Sequence, residues 1–413
     1  MSTTPIGPWA IAVTGAVALA TAMGIGRFAF TPLLPMMLHD GVIDLGGASW
    51  LASANYLGYL MGAVLCTLQP WIWRRIGNPP PPDPAAMVRG GLVATTALTL
   101  AMALPWPVAW PTLRFAAGVA SACVFVYISG WCLAQLARRG RGPLGGMIYV
   151  GPGFGIVLSG LVAGAIVAAQ GNAQLGWLVF GVLAGVLTLW VRPVLLRGTL
   201  APPVGTASAG TADAPADTAP RGELALLIAG YGCAGFGYII TATFLPVIAR
   251  QALPGSPWLD LFWPLFGAGV IGGAMLTTRV SLAGDMRHLL AGCHTVQALG
   301  VLASLLSPSL AGFVLGSLLL GLPFTAITYF AMQEVRRLRP HSAASAMGLA
   351  TALYGIGQVV GPPLVAVLIG WSGSPARGFA LSLATAAGTL LLGAALYLLS
   401  ARRYPKRRGA STA

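Results

Sequence analysis

Along this chain, apolar residues come in long unbroken runs, separated by short clusters of arginine, proline and glycine. A helix needs about 20 apolar residues to cross a hydrocarbon core of roughly 30 Å. Twelve runs are long enough, at approximately 9–38, 49–73, 87–106, 108–137, 143–169, 174–192, 223–249, 257–279, 288–306, 309–335, 341–370 and 376–401. Such runs predict helices rather than strands, because a lipid-embedded backbone must satisfy its polar groups within the segment. The first, fourth and eleventh runs are long enough to project beyond a bilayer. Between the sixth and seventh helices, Gly198 to Pro220 is rich in Ala, Pro, Thr and Gly and lacks bulky apolar residues. It predicts a disordered linker. The expected organisation is therefore a six-helix bundle over 1–192, a linker over 193–222, a second bundle over 223–401 and a basic tail over 402–413.

Charge sharpens this picture. Of 413 residues only 8% are charged, against 56% hydrophobic. An ordinary soluble domain carries about 25% charged residues, so the outer surface here must face lipid. The 23 Lys and Arg, all but Arg27, Arg114, Arg250 and Arg377, fall in alternate loops and the tail. That asymmetry predicts cytoplasmic N- and C-termini. The net charge of +14 thus reads as topology, not as a nucleic-acid surface, where basic residues would line one face. The N-terminus lacks a cleavable signal pattern. The Pro79-Pro80-Pro81-Pro82 run predicts a stiff connection on the arginine-rich side. Five cysteines, Cys66, Cys123, Cys132, Cys233 and Cys293, all lie in apolar runs without a C-x-x-C pair. They predict small buried side chains and neither a disulfide framework nor a zinc site.

The two halves resemble each other. Gly24-Ile25-Gly26 precedes Leu34-Pro35, and Gly235-Phe236-Gly237 precedes Leu245-Pro246 at the same spacing. Trp50-Leu51 and Trp258-Leu259 open the second and eighth helices. Phe115-x-x-Gly118 and Phe313-x-x-Gly316 lie in the fourth and tenth, each of which ends in Arg-Arg. Two like halves can rock about a central site, and helices interrupted by Gly and Pro mark that site. Gly24, Gly26, Pro35, Gly235, Gly237 and Pro246 are therefore expected as helix breaks beside a solute path. Close helix packing would require the same glycines.

Some motifs extend this reading. Arg114-x-x-x-Gly118-x-x-x-Ala122 resembles the helix-4 arginine motif of antiporters of the major facilitator superfamily. Gly151-Pro152-x-x-Gly155 resembles the antiporter signature of helix 5, and Gly357-x-x-x-Gly361-Pro362 resembles its counterpart in helix 11. The run from Gly24 to Pro35, with Trp50 to Tyr59, resembles the YbfB/YjiJ-like subgroup of that superfamily. The resemblance implies a fold of twelve helices in two pseudo-symmetric bundles, a bacterial inner-membrane location and gating roles for Gly151, Pro152, Gly155, Gly361 and Pro362. In the loop after the second helix the family usually has Asp-Arg-x-Gly. This chain keeps Arg75 and Gly77 but has Arg74 in place of the acid, so a gating salt bridge is not carried over there.

Arg27 is the strongest single candidate for chemistry. An arginine at mid-membrane depth costs roughly 2.5–3.5 kcal/mol on insertion scales, which demands a partner or a wet cavity. Its repeat counterpart is Tyr238. Arg27 could clamp an anionic group of a solute, or it could bind carbonyls of a broken helix. Arg114, whose counterpart is Gly312, is expected near the outer end of its helix, where it could snorkel outward or contribute to proton coupling. Asn55, Tyr56, Tyr59, Tyr127, Tyr231, Tyr238 and Tyr354 are candidate path-lining residues. Asp260 is the acid best placed for coupling. Glu334 is expected in a loop ion pair with Arg336 or Arg337, and His294 as a packed histidine.

These features predict a secondary transporter of a small anionic or zwitterionic solute, working by alternating access. A drug/proton antiporter is the alternative. An intramembrane lipid-modifying enzyme is more distant, because the acids and histidines are scattered. No Walker motif is present to drive an ATP-powered pump. The expected partners are the solute and the lipid bilayer, with the chain acting as a monomer. No metal or cofactor is expected, although coupling to a proton gradient is open.

Overall fold

The computed structural model describes residues 6–77, 79, 82–197, 220–280 and 284–406. The segment read as a linker therefore lies outside the described residues, apart from Pro220 and the helical residues that flank it. So do most of the proline run and the end of the basic tail. Twelve helical spans cross the fold, and among the described residues there is no strand. We label them α1 (Pro8–His39), α2 (Leu45–Arg75), α3 (Pro84–Ala101), α4 (Trp110–Arg138), α5 (Gly151–Ala168) and α6 (Ala173–Arg197) in the N-terminal half. The C-terminal half holds α7 (Arg221–Ala252), α8 (Phe262–Thr277), α9 (Met286–Leu306), α10 (Leu310–Leu338), α11 (Ala343–Ser372) and α12 (Pro375–Arg403). Each predicted run corresponds to one span. Helix α6 continues past residue 192 to Arg197, and α5 is preceded by a 3₁₀ stretch, Gly142–Val150.

Polar caps fix several helix starts. Asp44, Asp83 and Asp285 accept backbone N–H bonds at the N-termini of α2, α3 and α9, satisfying donors that a helix start leaves free. Exposed tryptophans ring the molecule near both ends. Trp50, Trp106, Trp258 and Trp371 lie near the arginine-poor end, and Trp9, Trp71 and Trp190 near the arginine-rich end. This is the distribution expected of interfacial aromatic belts.

The two bundles meet along α2–α11, α5–α8 and α1–α7. Their packing is not uniform with depth. Toward the arginine-poor end one apolar core joins both halves and includes Phe28, Phe30, Trp177, Phe244, Phe262 and Phe313. Toward the arginine-rich end that core divides. One cluster, with Ile11, Leu92, Ile128 and Leu136, belongs to the N-terminal bundle. The other, with Leu227, Leu290, Phe330 and Tyr397, belongs to the C-terminal bundle. Hydrogen bonds between the halves follow the same division. Thr31 Oγ1 donates to the Ala242 carbonyl (3.2 Å), Tyr56 Oη and Thr243 Oγ1 share a bond of 2.9 Å, and Trp263 Nε1 donates to Ser159 Oγ (3.3 Å).

At its arginine-rich end the C-terminal bundle is tied by charge. Arg287, fully buried, donates to Asp285 Oδ2 (2.7 Å), to Glu223 Oε1 (3.0 Å) and to the carbonyls of Ser400 and Tyr404 (3.1 and 2.8 Å). Arg337 donates to Glu334 Oε1 (2.6 Å) and to Glu223 Oε1 (3.2 Å). Glu334 thus pairs with Arg337 as expected, but as a buried member of a network spanning α7, α9, α10 and α12 and not in a loop. The N-terminal bundle is tied more loosely. There Arg75 stacks on Trp71 (5.0 Å to the ring centroid) and Gly77 ends α2 with φ of +92°. Among the described residues Arg75 forms no salt bridge, consistent with Arg74 standing where the family has an acid.

Candidate functional site

Helix α1 is the irregular element around which the site is built. Over Ala20–Ile25 its ladder shifts to π-helical bonds, with Gly26 N–H donating to Thr21 O (2.9 Å) and Phe28 N–H to Met23 O (3.0 Å). A turn follows, and the helix resumes at Phe30. Within this turn Thr31 N–H bonds to Phe28 O (3.1 Å) and not to Arg27 O. The carbonyls of Gly26 and Arg27 are taken up by Arg114 instead, through Nη1 (3.3 Å) and Nη2 (3.0 Å). Arg114 is 2% exposed and lies against Phe30 and Trp177. The expected outward snorkelling does not occur, because broken-helix carbonyls in the interior offer this guanidinium better acceptors than the interface does.

The same comparison corrects the expected helix breaks. Gly24 and Gly26 do lie in an irregular segment. Pro35 sits in the continuous helix Phe30–His39, and Gly235, Gly237 and Pro246 sit in an unbroken α7. A break in lipid requires a donor for the freed carbonyls. In the N-terminal half Arg114 is that donor, whereas its counterpart is Gly312, which has no side chain to donate. The Gly-x-Gly pairs serve close packing in both halves. Gly24 faces the backbone of Gly155, and Gly235 faces the carbonyl of Tyr354, so a methyl group at either position would overlap main chain.

With Arg114 bound to the break, Arg27 is left free to face the opposite bundle. It is 3% exposed, and its Nη2 donates to Gln358 Oε1 on α11. Gln358 Nε2 in turn donates to Tyr238 Oη (2.8 Å). Arg27 Cζ lies 4.2 Å from the Tyr59 ring centroid and 5.2 Å from those of Tyr56 and Phe28. Tyr238 contacts Phe324 edge-on (5.1 Å) and stacks with Tyr354 (5.9 Å), which stacks on Tyr231 (4.6 Å). Helix α10 is interrupted beside Phe324, between Gly321 and Phe324 at Pro323. The centre is therefore one guanidinium among aromatic faces, bridged by an amide to the other half. Among the described residues no carboxylate forms an ion pair with Arg27 or Arg114. The Nε of each lacks a hydrogen-bond partner.

Six residues singled out in the sequence, Arg27, Tyr56, Tyr59, Tyr231, Tyr238 and Tyr354, come together here. Asn55 does not. Its Nδ2 donates to the Arg114 carbonyl (2.9 Å) where α2 crosses α4 closely through Gly58 and Gly118. Tyr127 lies apart and donates to Gln69 Oε1 (3.2 Å). Asp260 is paired with Arg250 at the arginine-poor end, away from Arg27. Gly151 packs on Ala16, Gly155 on Gly24, and Gly361 on Ile239, with Pro152 and Pro362 buried beside them. These positions lie at helix contacts of α1–α5 and α7–α11. His294 is buried between the carbonyls of Leu290 (2.9 Å) and Gly230 (3.1 Å). Cys66 and Cys123 are free thiols, and Cys66 Sγ donates a weak hydrogen bond to Cys123 Sγ (3.7 Å). Gln358 and Phe324 were not singled out from the sequence. Gln358 could have been, because it directly follows Gly357 of the helix-11 motif.

Twelve apolar spans in two repeated bundles, with a cationic and aromatic centre where the bundles meet, define a polytopic membrane protein of the transporter class. The chain belongs to the major facilitator superfamily, matching the family described as "Uncharacterised MFS-type transporter YbfB" over residues 19–398. Among solved structures it is similar to a point mutant of the nucleoside transporter NupG, at 15% identity and a TM-score of 0.72, with 94% of this chain and 99% of that one covered. No curated protein matches it significantly. The chain is a membrane transporter and not an enzyme.

Proposed function

We propose that the protein is a secondary transporter that moves a small anionic or zwitterionic organic solute by alternating access, with Arg27 binding the solute's anionic group. The observation that carries this reading is the buried Arg27 guanidinium at the centre, with Arg114 held on the broken helix behind it and no carboxylate counter-ion to either among the described residues. A buried charge without a partner is costly, and Arg27 keeps an unused Nε donor. An incoming carboxylate would supply the missing charge and match the planar guanidinium. The surrounding Tyr and Phe faces would take the apolar part of the solute.

The divided core supports the alternating-access part of this reading. The one continuous core that joins the bundles lies toward the arginine-poor end, whereas at the arginine-rich end they approach only locally, at Gly146 beside Thr278 and Gly348 beside Thr67. With the arginine-rich loops cytoplasmic, an inward-facing form in a bacterial inner membrane would part these local approaches and keep the shared core. Rocking about Arg27, Gln358 and Tyr238 would then open the other side.

A thermal-shift screen of the purified protein against organic carboxylates, amino acids and lipophilic cations tests the proposal, since a ligand of the native state raises the melting temperature. Stabilisation by a carboxylate, lost in Arg27→Ala, is the expected result, followed by uptake of that solute into proteoliposomes. Stabilisation by lipophilic cations alone, unchanged in Arg27→Ala, would overturn it in favour of drug efflux.

A further inference from the structure

Between α3 and α6, near the arginine-rich end, lies a groove of about 380 Å³. Its walls are mainly apolar, including Val93 and Leu195, with Thr188 on one side and Gly90 on the other. No atom comes within 4 Å of the point where a Cβ on Gly90 would stand, so the groove is open there. Two arginines, Arg89 from α3 and Arg192 from α6, line it. Among the described residues, helices α3 and α6 pack on each other and on α1 and α4 and form no extended contact with the C-terminal bundle. The groove therefore faces the surrounding bilayer and not the solute path.

Neither arginine is neutralised as Arg287 is in the other bundle. Arg89 donates to the Leu195 carbonyl (3.2 Å), and its approach to Asp83 is 3.9 Å. Asp83 is itself occupied in capping the first turn of α3. Arg192 is exposed and makes no hydrogen bond or ion pair among the described residues. In the C-terminal bundle, by contrast, Arg287 near the start of α9 is enclosed by Asp285, Glu223 and the carbonyls at the end of α12. One outer helix pair thus encloses its arginine in counter-charges, and the other offers an apolar trough where Arg89 has a single long ion pair, with Asp83, and Arg192 has none among the described residues.

We infer that this groove binds an anionic phospholipid, with its phosphate held by Arg89 and Arg192 and an acyl chain lying along Val93 and past Gly90. An apolar groove with cationic residues at headgroup depth matches both parts of such a lipid. A zwitterionic lipid brings its own cation to the same arginines and is held less well. The site does not depend on which solute is transported.

Native mass spectrometry of the full-length protein tests this, using phosphatidylglycerol, phosphatidylcholine of the same chains and inorganic phosphate as probes. At roughly five-fold per arginine, the expected preference for phosphatidylglycerol over phosphatidylcholine is about 25-fold. Arg192→Gln should lower it about five-fold. That arginine has no internal partner, so the variant is expected to fold, whereas Arg89→Gln also removes the bond to Leu195. Gly90→Leu, which fills the trough without altering charge, should reduce retention of phosphatidylglycerol. Arg279→Gln, an exposed arginine at the same end but outside the groove, should leave the preference intact. Equal retention of the two lipids, an unchanged preference in Arg192→Gln, an equal loss in Arg279→Gln, or inorganic phosphate held as firmly as the lipid would each overturn the assignment.

Discussion

Arg27 and Tyr238 occupy equivalent positions in the two halves of the molecule and are joined through a single side chain, the amide of Gln358. The amide is a two-way connector. Its oxygen accepts from the arginine, and its nitrogen donates to the tyrosine hydroxyl. Because it belongs to α11, the link crosses from one bundle to the other at the level where their shared core ends.

We predict that Gln358→Glu separates stability from binding. A carboxylate here would pair with Arg27 and supply the charge that the centre lacks, so the melting temperature should rise. Binding of an anionic solute should fall at least about ten-fold, as expected when one buried charge is already satisfied. Calorimetric titration with a carboxylate identified by the thermal screen is the check. Wild-type affinity in this variant would rule out Arg27 as the anion site.

Tyr238→Phe removes the acceptor for the Gln358 amide. The ring and its contacts with Phe324 and Tyr354 are kept. A stability loss of about 1 kcal/mol is expected for one buried hydrogen bond, with a modest weakening of solute binding. A loss as large as that of Arg27→Ala would mean that the hydroxyl itself holds the solute.

Arg114→Leu should be among the most damaging single changes, because it strands the carbonyls of Gly26 and Arg27. Each unsatisfied buried group costs about 1–3 kcal/mol. The expected outcome is a large drop in melting temperature and in monodisperse yield on size-exclusion chromatography, with partial rescue by Arg114→Lys. If Arg114→Leu melts with the wild type, the π-helical turn does not depend on this residue.

Gly24→Ala and Gly155→Ala test the close approach of α1 and α5. A methyl at either site would meet the facing backbone, which cannot rotate away as a side chain can. Overpacking of this kind costs about 1–3 kcal/mol. Each variant should unfold at lower temperature, and the double variant should lose less than the sum because both act on one contact.

The twelve spans were legible because a lipid core demands uninterrupted apolar length, and few sequences meet that demand by accident. Arg27 was legible for the converse reason, its high cost in such a run. Gln358 carries no charge, so a neutral amide in an apolar helix gave a much weaker signal. Nor could the sequence show which Gly-x-Gly would break its helix. Gly24-Ile25-Gly26 and Gly235-Phe236-Gly237 look alike locally, and what distinguishes them is a donor on α4 that α10 lacks. The inward turn of Arg114 is hidden for the same reason, since its acceptors exist only once α1 has departed from the regular ladder.

Acid should weaken the charged network at the end of the C-terminal bundle. Burial alone would raise the Asp285 carboxyl, but its hydrogen bonds from the Arg287 side chain and N–H, with the charges of Arg287 and Lys406, hold it down at about 2. An unfolded aspartate titrates near about 3.9. The folded value is the lower one, so this contribution is fully present above about pH 4 and is lost as pH falls toward about 2. Asp285→Asn should therefore melt below the wild type at pH 7, with the gap narrowing below about pH 4. A gap of constant size from pH 7 to pH 3 would contradict the assignment.

That network also sets which half of the molecule yields. Two arginines and three carboxylates tie four helices of the C-terminal bundle at one end, while the N-terminal bundle has the π-helical turn of α1 at its centre. In the proposed rocking motion the tied bundle would act as the stiff lever, and strain would be absorbed at Ala20–Ile25, placing the compliance of the molecule where its charge is held.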